Sequence, residues 1–239
     1  MAEPIITGSN ANATPSHPYY PQGAVVDNYV ANTLSAPILY VIFAICTFTV
    51  LGGTHRIIRH SRPNMPIWEA AAAMWFVLCG FIHLFFEGYF SVHFLDVAAQ
   101  TDAFGQLWKE YSLSDSRYLL RDPFIVCMET VTAFTWGPLS YVCAYCIVKD
   151  HPFRHPLQMI ISVGQLYGTV LYFSLCVFSE VVSGILFCRP ESYYFWCYYF
   201  FFNAVWIVIP SALIWQSSKE IATAFSKLKK LEKGGKKEL

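Results

Sequence analysis

Five long apolar runs constrain this sequence more than any other feature. A helix needs about 20 mostly apolar residues to cross the hydrocarbon core of a bilayer. Runs of this kind lie at residues 36 to 53, 66 to 90, 123 to 148, 157 to 180 and 193 to 216. We therefore expect an all-α fold, an integral membrane bundle of five transmembrane helices.

The composition agrees with a chain in contact with lipid. Hydrophobic residues make up 55% of the sequence, charged residues make up only 13%, and the mean hydropathy is +0.40. The formal net charge is zero, whereas a nucleic-acid-binding domain carries a basic stripe. We therefore expect the lipid bilayer as a partner and no nucleic acid.

The lysines and arginines predict the orientation, because they concentrate on the cytosolic side of membrane helices. Of the 16, twelve follow the first, third and fifth apolar runs, and the other side holds only Lys109, Arg117, Arg121 and Arg189. We therefore expect a luminal segment at residues 1 to 34, a transmembrane domain at 35 to 217 and a basic cytosolic tail at 218 to 239.

Two short signals bear on the compartment. The final "KKEL" resembles a dilysine signal for return to the endoplasmic reticulum, and a basic tail beside anionic lipid is the alternative. Asn12 begins a glycosylation sequon, "NAT", on the side predicted to be luminal. The sequence alone leaves both questions open.

Few polar side chains lie within the apolar runs, where a charged group costs roughly 2.5 to 3.5 kcal/mol on insertion scales. His83 and Glu87 are four residues apart and share one helix face. The pairs Glu129 with Thr132 and Asn203 with Trp206 are three apart and do the same; Thr130, Gln165 and Thr169 complete the set. We expect these groups to meet in the luminal half of the bundle.

Such a set has a structural interpretation and a chemical one. The ionisable pair can simply satisfy itself, and aromatic belts at the interface explain many of the aromatic residues. Alternatively, a carboxyl group in a low dielectric can donate a proton near neutral pH, with a histidine to relay it. Protonating an alkene makes a carbocation, which a carboxylate and aromatic faces stabilise. Loss of a neighbouring proton then completes a double-bond isomerisation.

Motifs for cofactors and metals are missing from the sequence. It has no glycine-rich phosphate loop, dinucleotide fingerprint or histidine box. The single CxxC, Cys143 to Cys146, lies in an apolar run without histidine neighbours, which favours helix packing over a redox or zinc role. We expect no cofactor and no metal.

Gly164 and Gly168 form a small-xxx-small face in the fourth run. Such a face lets helices approach closely, and it would permit a homodimer.

The longest predicted luminal connection contains "WKEYSLSDSRYLLRD". It is interpreted either as a lid over a substrate entrance or as an ion-paired cap on the bundle. We favour the cap.

Several stretches resemble, in the same order, those of the emopamil-binding-protein family of EXPERA-type membrane proteins. They are "HPYYP", "GFIHLFFEGYF", "LWKEYSLSDSRYLLRDPFIVCMETVTAFTWGPLS", "SVGQLYGTVLYF" and "FNAVWIVIPS". The resemblance covers roughly residues 17 to 215. It implies an enzyme of the endoplasmic reticulum that converts Δ8-sterols such as zymosterol to Δ7-sterols without a cofactor. It also implies inhibition by cationic amphiphilic amines.

The family's functional residues match positions in this sequence one by one. The resemblance implies that His83, Glu87, Glu129 and Asn203 are catalytic, and that Thr132 and Trp206 contact substrate. Gln165 in the fourth run and Tyr118 in the luminal connection are further candidates for substrate contact.

The mechanism we expect delivers a proton to C9, forms a cation at C8 and removes a proton from C7. His83, oriented by Glu87, and Glu129 are the donor and the acceptor in an order that a coupled set leaves open. The alternative function is a non-catalytic receptor for sterols and amines on the same scaffold. A binder needs one anionic group whereas an isomerase needs a donor and an acceptor, so the full set favours the enzyme.

Overall fold

The structure, a computed structural model, describes residues 17 to 235 and contains no strand in that range. Five of its helices are long and apolar enough to cross a membrane, which confirms the expected all-α transmembrane bundle. In chain order the helices are α1 (Ala36–Ser61), α2 (Ile67–His93), the short α3 (Ala103–Tyr111), α4 (Pro123–Val148), α5 (Arg154–Ser183) and α6 (Tyr194–Lys233). Asn12 and the final "KKEL" lie outside the described residues.

Two spanning helices, α1 and α6, extend furthest beyond the ends of their apolar runs. Helix α1 continues to Ser61, beyond the predicted end at 53, and the α-helical part of α6 runs on to Gly235. A helix can continue through basic residues after it has left the bilayer. Pro63, which follows soon after the end of α1, cannot continue a helix because it has no amide hydrogen to donate. The apolar runs therefore located the spans but not the helix ends.

The two prolines of "DHPFRHP", residues 150 to 156, predict a non-helical segment between the third and fourth apolar runs, and this prediction is wrong for the last part of the segment. Only its first part separates the helices, because α5 already begins at Arg154. Pro156 then falls in the first turn of α5. A proline is tolerated there because the first amide groups of a helix have no carbonyl partner within the helix.

Two aspartates cap helices in the connection between α2 and α4 and at its end. Asp102 caps α3 by accepting from the amides of Phe104 and Gly105 at 2.9 and 3.1 Å. Asp122, with Pro123 directly after it, caps α4 through the amides at 124 and 125. Capping of this kind stabilises a helix by about 1 kcal/mol.

We call residues 94 to 122, which join α2 to α4, the cap. Asp115 and Arg117 form a buried ion pair at 2.6 Å, with side chains 0% and 3% exposed. The Lys109 ammonium, whose pKa burial lowers, donates to the Val30 carbonyl at 2.6 Å. These contacts favour the cap interpretation over a mobile lid.

The helices enclose two apolar cores, one toward the cap and one toward the opposite end of the bundle. Helix α2 packs on α1 and α4, and α5 packs on α4 and along α6. Each of four helices contributes to both cores, through Phe90 and Phe76 on α2, Ile125 and Cys143 on α4, Tyr172 and Ile161 on α5, and Tyr199 and Leu213 on α6. The predicted site residues on these helices lie between the paired positions, and Tyr118 lies in the cap.

Candidate active site

Three π-helical segments position the site. They are Ile82–Glu87 in α2, Thr132–Trp136 in α4 and Tyr194–Phe201 at the start of α6. The first contains His83 and Glu87, the second begins with Thr132, and Asn203 follows the third. The first two segments pack against each other. The π-helix is rare and occurs frequently at functional sites.

One cavity of about 80 Å³ is bordered by all eight predicted site residues. Its lining includes His83, Glu87, Tyr118, Glu129, Thr132, Gln165, Asn203 and Trp206, together with Met128, Trp136, Gly164, Gly168, Thr169 and Tyr172. Within residues 17 to 235, no three His, Cys, Asp or Glu side chains are arranged to hold a metal ion.

His83 is held on three sides. Its side chain is 3% exposed, and its Nδ1 lies 2.8 Å from Glu87 Oε2. Its Nε2 lies 3.1 Å from the Gln165 amide nitrogen, and its ring centroid is 4.8 Å from that of Trp206. Both ring nitrogens therefore have partners, and one ring face lies against an indole.

The Gln165 contact allows two protonation states of His83. With Nδ1–H donating to Glu87, a neutral ring accepts the Gln165 amide hydrogen at Nε2. The Gln165 carbonyl oxygen is buried and has no hydrogen-bond partner among the described residues. If the Gln165 amide turned by half a turn, its oxygen would replace its nitrogen beside His83 and would accept a hydrogen bond from Nε2–H of a protonated ring.

Glu129 is buried at 5% exposure, and the cap reaches down to it. The Tyr118 hydroxyl donates to Glu129 Oε1 at 2.6 Å. Burial raises the pKa of Tyr118 well above its usual value, so the phenol stays neutral and remains a donor. The Thr132 hydroxyl is less available to donate a hydrogen bond to a substrate, because it already donates to the Met128 carbonyl at 2.8 Å.

Asn203 joins α6 to the cap. Its amide nitrogen donates to the Tyr111 hydroxyl at 3.1 Å and to the Tyr199 carbonyl at 2.7 Å. The sequence analysis missed Tyr111. Its position in the same connection as Tyr118, seven residues earlier, is the one signal that pointed to it.

Gly164 and Gly168 face the inside of this bundle. A Cβ at Gly164 would lie 2.4 Å from the Trp136 ring, whereas one at Gly168 would meet nothing within 4 Å. Both glycines border the cavity. The close helix contact predicted from this face is therefore made within the chain, between α5 and α4, and it gives no reason for a dimer.

Together these groups can exchange protons with an apolar molecule. The cavity offers an imidazole and two carboxyl groups, a neutral phenol as hydrogen-bond donor, and an indole ring, a group that attracts positive charge. Cys143 and Cys146, by contrast, are buried, unpaired and outside the cavity lining.

Comparison with known proteins finds a matching family model and relatives that share one name. The model of the EXPERA (EXPanded EBP superfamily) family matches residues 103–217. The chain is 41% identical over 223 residues to the 3-beta-hydroxysteroid-Delta(8),Delta(7)-isomerase of Mus musculus, covering 91% of this chain and 94% of the mouse protein. It is 30% identical over 210 residues to the probable enzyme of the same name from Arabidopsis thaliana, covering 87% and 91%.

A relative with another activity also matches. Protoglabretal synthase MOI1 of Citrus sinensis is 37% identical over 144 residues, which cover 59% of this chain and 65% of the citrus protein.

Proposed function

This chain belongs to the EXPERA (EXPanded EBP superfamily) family and is a multi-pass membrane isomerase of sterol metabolism; we propose that it moves the double bond of Δ8-sterols from C8=C9 to C7=C8. The observation that carries the proposal is that His83, Glu87, Glu129 and Asn203 all border the same cavity. A ligand-binding receptor needs one anionic anchor, whereas these residues provide both a proton donor and a proton acceptor.

The reaction begins when a protonated group of this cavity delivers a proton to C9 of the substrate. The π electrons of C8=C9 form the new C9–H bond, and a cation develops at C8. A second group removes the proton from C7, and the C7–H electrons form the C7=C8 bond. The sterol gains and loses one proton, so the reaction consumes no reductant or oxidant and requires no cofactor.

His83 and Glu129 are the donor and acceptor in this proposal. Glu87 orients His83 through the 2.8 Å contact, and Gln165 adapts to either state of the imidazole. Glu87 and Glu129 border the same cavity, and in this proposal the site exchanges its protons with water before the next cycle begins.

The remaining lining groups stabilise the charged intermediate. Trp206 borders the cavity, and its ring centroid lies 4.8 Å from that of His83. A cation that contacts an indole face gains roughly 0.5 to 2 kcal/mol. A buried carboxylate adds a larger electrostatic contribution, because water is excluded. The same features would hold a cationic amphiphilic amine, so we propose such amines as inhibitors that imitate the cation.

The location follows from the proposed pathway and the charge distribution. We propose that the protein lies in the endoplasmic reticulum membrane, with its N-terminus in the lumen and its C-terminus in the cytosol. The cap then lies on the luminal side. The basic part of α6 beyond residue 217 lies on the cytosolic side, as the distribution of lysine predicts.

The test is conversion of zymosterol to its Δ7 isomer by the purified protein in detergent without added cofactor. His83→Ala and Glu129→Gln should each lower kcat by roughly 100-fold or more, the usual contribution of a general acid or base. Glu180→Gln is the matched control, because Glu180 lies exposed on spanning helix α5, outside the cavity. Folded variants with wild-type turnover would refute these roles. An inactive wild type that still binds sterol and amines tightly would support the receptor.

A further inference from the structure

A second and larger cavity lies between α1, α3 and α6. Its volume is about 450 Å³, and its walls are mostly aromatic. The cavity around His83 measures about 80 Å³, whereas sites for drug-sized ligands enclose roughly 300 to 1,000 Å³. The smaller cavity can therefore hold the reacting bonds of a sterol but not the whole molecule.

The two cavities lie back to back. Glu87 borders the smaller cavity and its neighbour Phe86 borders the larger one; Asn203 and Phe202 are divided in the same way. Tyr111 borders the larger cavity, and its hydroxyl accepts a hydrogen bond from Asn203. Three aromatic residues, Phe86, Tyr111 and Phe202, thus belong to the wall of the larger cavity beside residues of the smaller one, and we call them the aromatic layer.

The larger cavity contains one carboxyl group among phenols. Glu110 Oε1 accepts from the hydroxyl groups of Tyr198 and Tyr40 at 2.9 and 3.2 Å. The oxygen atoms of these two hydroxyl groups are also in contact with each other, and Tyr193 donates to Tyr40 at 3.4 Å. Glu110 Oε2 receives no hydrogen bond from any described residue and remains free to accept one.

The cluster of Glu110 and the tyrosine hydroxyl groups suits a ligand hydroxyl group better than an anionic ligand. Burial raises the pKa of Glu110, and the positive charge of Arg189 lowers it in part. The cluster offers carboxylate and phenol oxygens as acceptors and no lysine or arginine in the cavity wall. A phosphate or carboxylate would meet repulsion there, whereas an alcohol finds an acceptor surrounded by apolar walls.

We propose that the larger cavity binds the hydroxyl-bearing ring of the sterol, whose 3-hydroxyl donates a hydrogen bond to Glu110; this inference rests on the proposed sterol isomerase function. In a sterol, that hydroxyl is on the first ring and the reacting bond lies at the junction of the second and third. The first ring therefore occupies the larger cavity while C7, C8 and C9 reach His83 and Glu129. Binding displaces the aromatic layer at Tyr111 and Phe202, which joins the two spaces.

The experiment compares the dissociation constants of a Δ8-sterol and of the same sterol lacking its 3-hydroxyl. A hydrogen bond to a charged acceptor predicts that the wild type binds the alcohol roughly 10- to 100-fold more tightly. In Glu110→Met the side chain keeps a similar length but has no carboxyl group. The preference of this variant for the alcohol should therefore fall to about threefold or less, as expected for a weak neutral contact. Glu110→Gln keeps a neutral acceptor and should lie between the two.

The matched control is Glu180→Met, because Glu180 is exposed on α5 outside both cavities and this variant should keep the wild-type preference. Thermal unfolding in detergent shows whether each variant is folded. If Glu110→Met does not fold, the comparison is made with Glu110→Gln. An unchanged preference in a folded Glu110 variant would overturn the inference. Turnover is measured separately: a wild type that prefers the alcohol without isomerising it refutes the proposed function and leaves the hydroxyl site standing.

Discussion

Replacing Tyr118 by phenylalanine removes one oxygen atom from the proposed proton-transfer network. Its hydroxyl donates to Glu129 at 2.6 Å in a buried setting. A hydrogen bond to a charged group contributes about 1.5 to 3 kcal/mol. Since about 1.4 kcal/mol corresponds to tenfold in rate, losing it changes kcat by roughly 10- to 140-fold if Glu129 transfers the proton.

The sign of the change assigns the role of Glu129. As proton donor, Glu129 becomes a carboxylate in the transition state, and loss of the Tyr118 hydroxyl lowers kcat. As acceptor, it begins as a carboxylate that the hydroxyl stabilises, so loss of the hydroxyl makes it a stronger base and raises kcat. The assay is sterol conversion at saturating substrate, followed by mass spectrometry of the two isomers.

Tyr19→Phe is the matched control for this experiment. The Tyr19 hydroxyl is also buried and makes one hydrogen bond, to the Lys109 carbonyl at 3.1 Å, but it does not border the cavity. We expect this variant to lose about 1 kcal/mol of stability and to keep its turnover. A folded Tyr118→Phe protein with the kcat of Tyr19→Phe would refute the link between the phenol and proton transfer.

Two further predictions concern stability, measured by thermal unfolding in detergent. Gly164→Ala forces a Cβ into the Trp136 ring and should destabilise by about 1 to 3 kcal/mol; Gly168→Ala has open space and should be neutral or up to about 1 kcal/mol stabilising, so equal losses would contradict the packing account. Arg117→Met leaves Asp115 buried without its partner and should cost about 3 to 5 kcal/mol, and a cap that tolerates it would have to be mobile.

The sequence predicted the spanning helices well because their physical requirement is local. Length and apolar character located the five spans. Asp122 followed by Pro123 is a pair typical of a helix start, and α4 begins there. The ends of α1 and α6 were not predictable in the same way. Hydropathy reports which residues can lie in lipid, and it does not report where backbone hydrogen bonding stops.

The site was predictable only in part. Spacing in α2 placed His83 beside Glu87, because residues four apart share a helix face. Contacts between helices have no such rule: Gln165 and Tyr111 reach His83 and Asn203 across sequence separations of 82 and 92 residues. The π-helical segments depend on a hydrogen-bond register that one sequence does not encode in any recognised pattern.

The larger cavity also came from the structure alone. In the sequence, an interfacial belt was one interpretation of its aromatic walls, and Glu110 looked like one charge in an ion-paired cap. The fold places Glu110 beside Tyr40 and Tyr198, which come from the first and last spanning helices. A charge in a predicted connection therefore became part of a ligand cavity only through tertiary packing.

The central claim is that the sterol double bond moves by protonation first. The most direct measurement is the fate of solvent deuterium when the purified protein, equilibrated in deuterated water, converts a Δ8-sterol over many turnovers. Protonation at C9 followed by loss from C7 predicts a Δ7 product with one deuterium at C9. A Δ7 product without deuterium at C9 would contradict this account, because the hydrogen would then have come from the substrate itself.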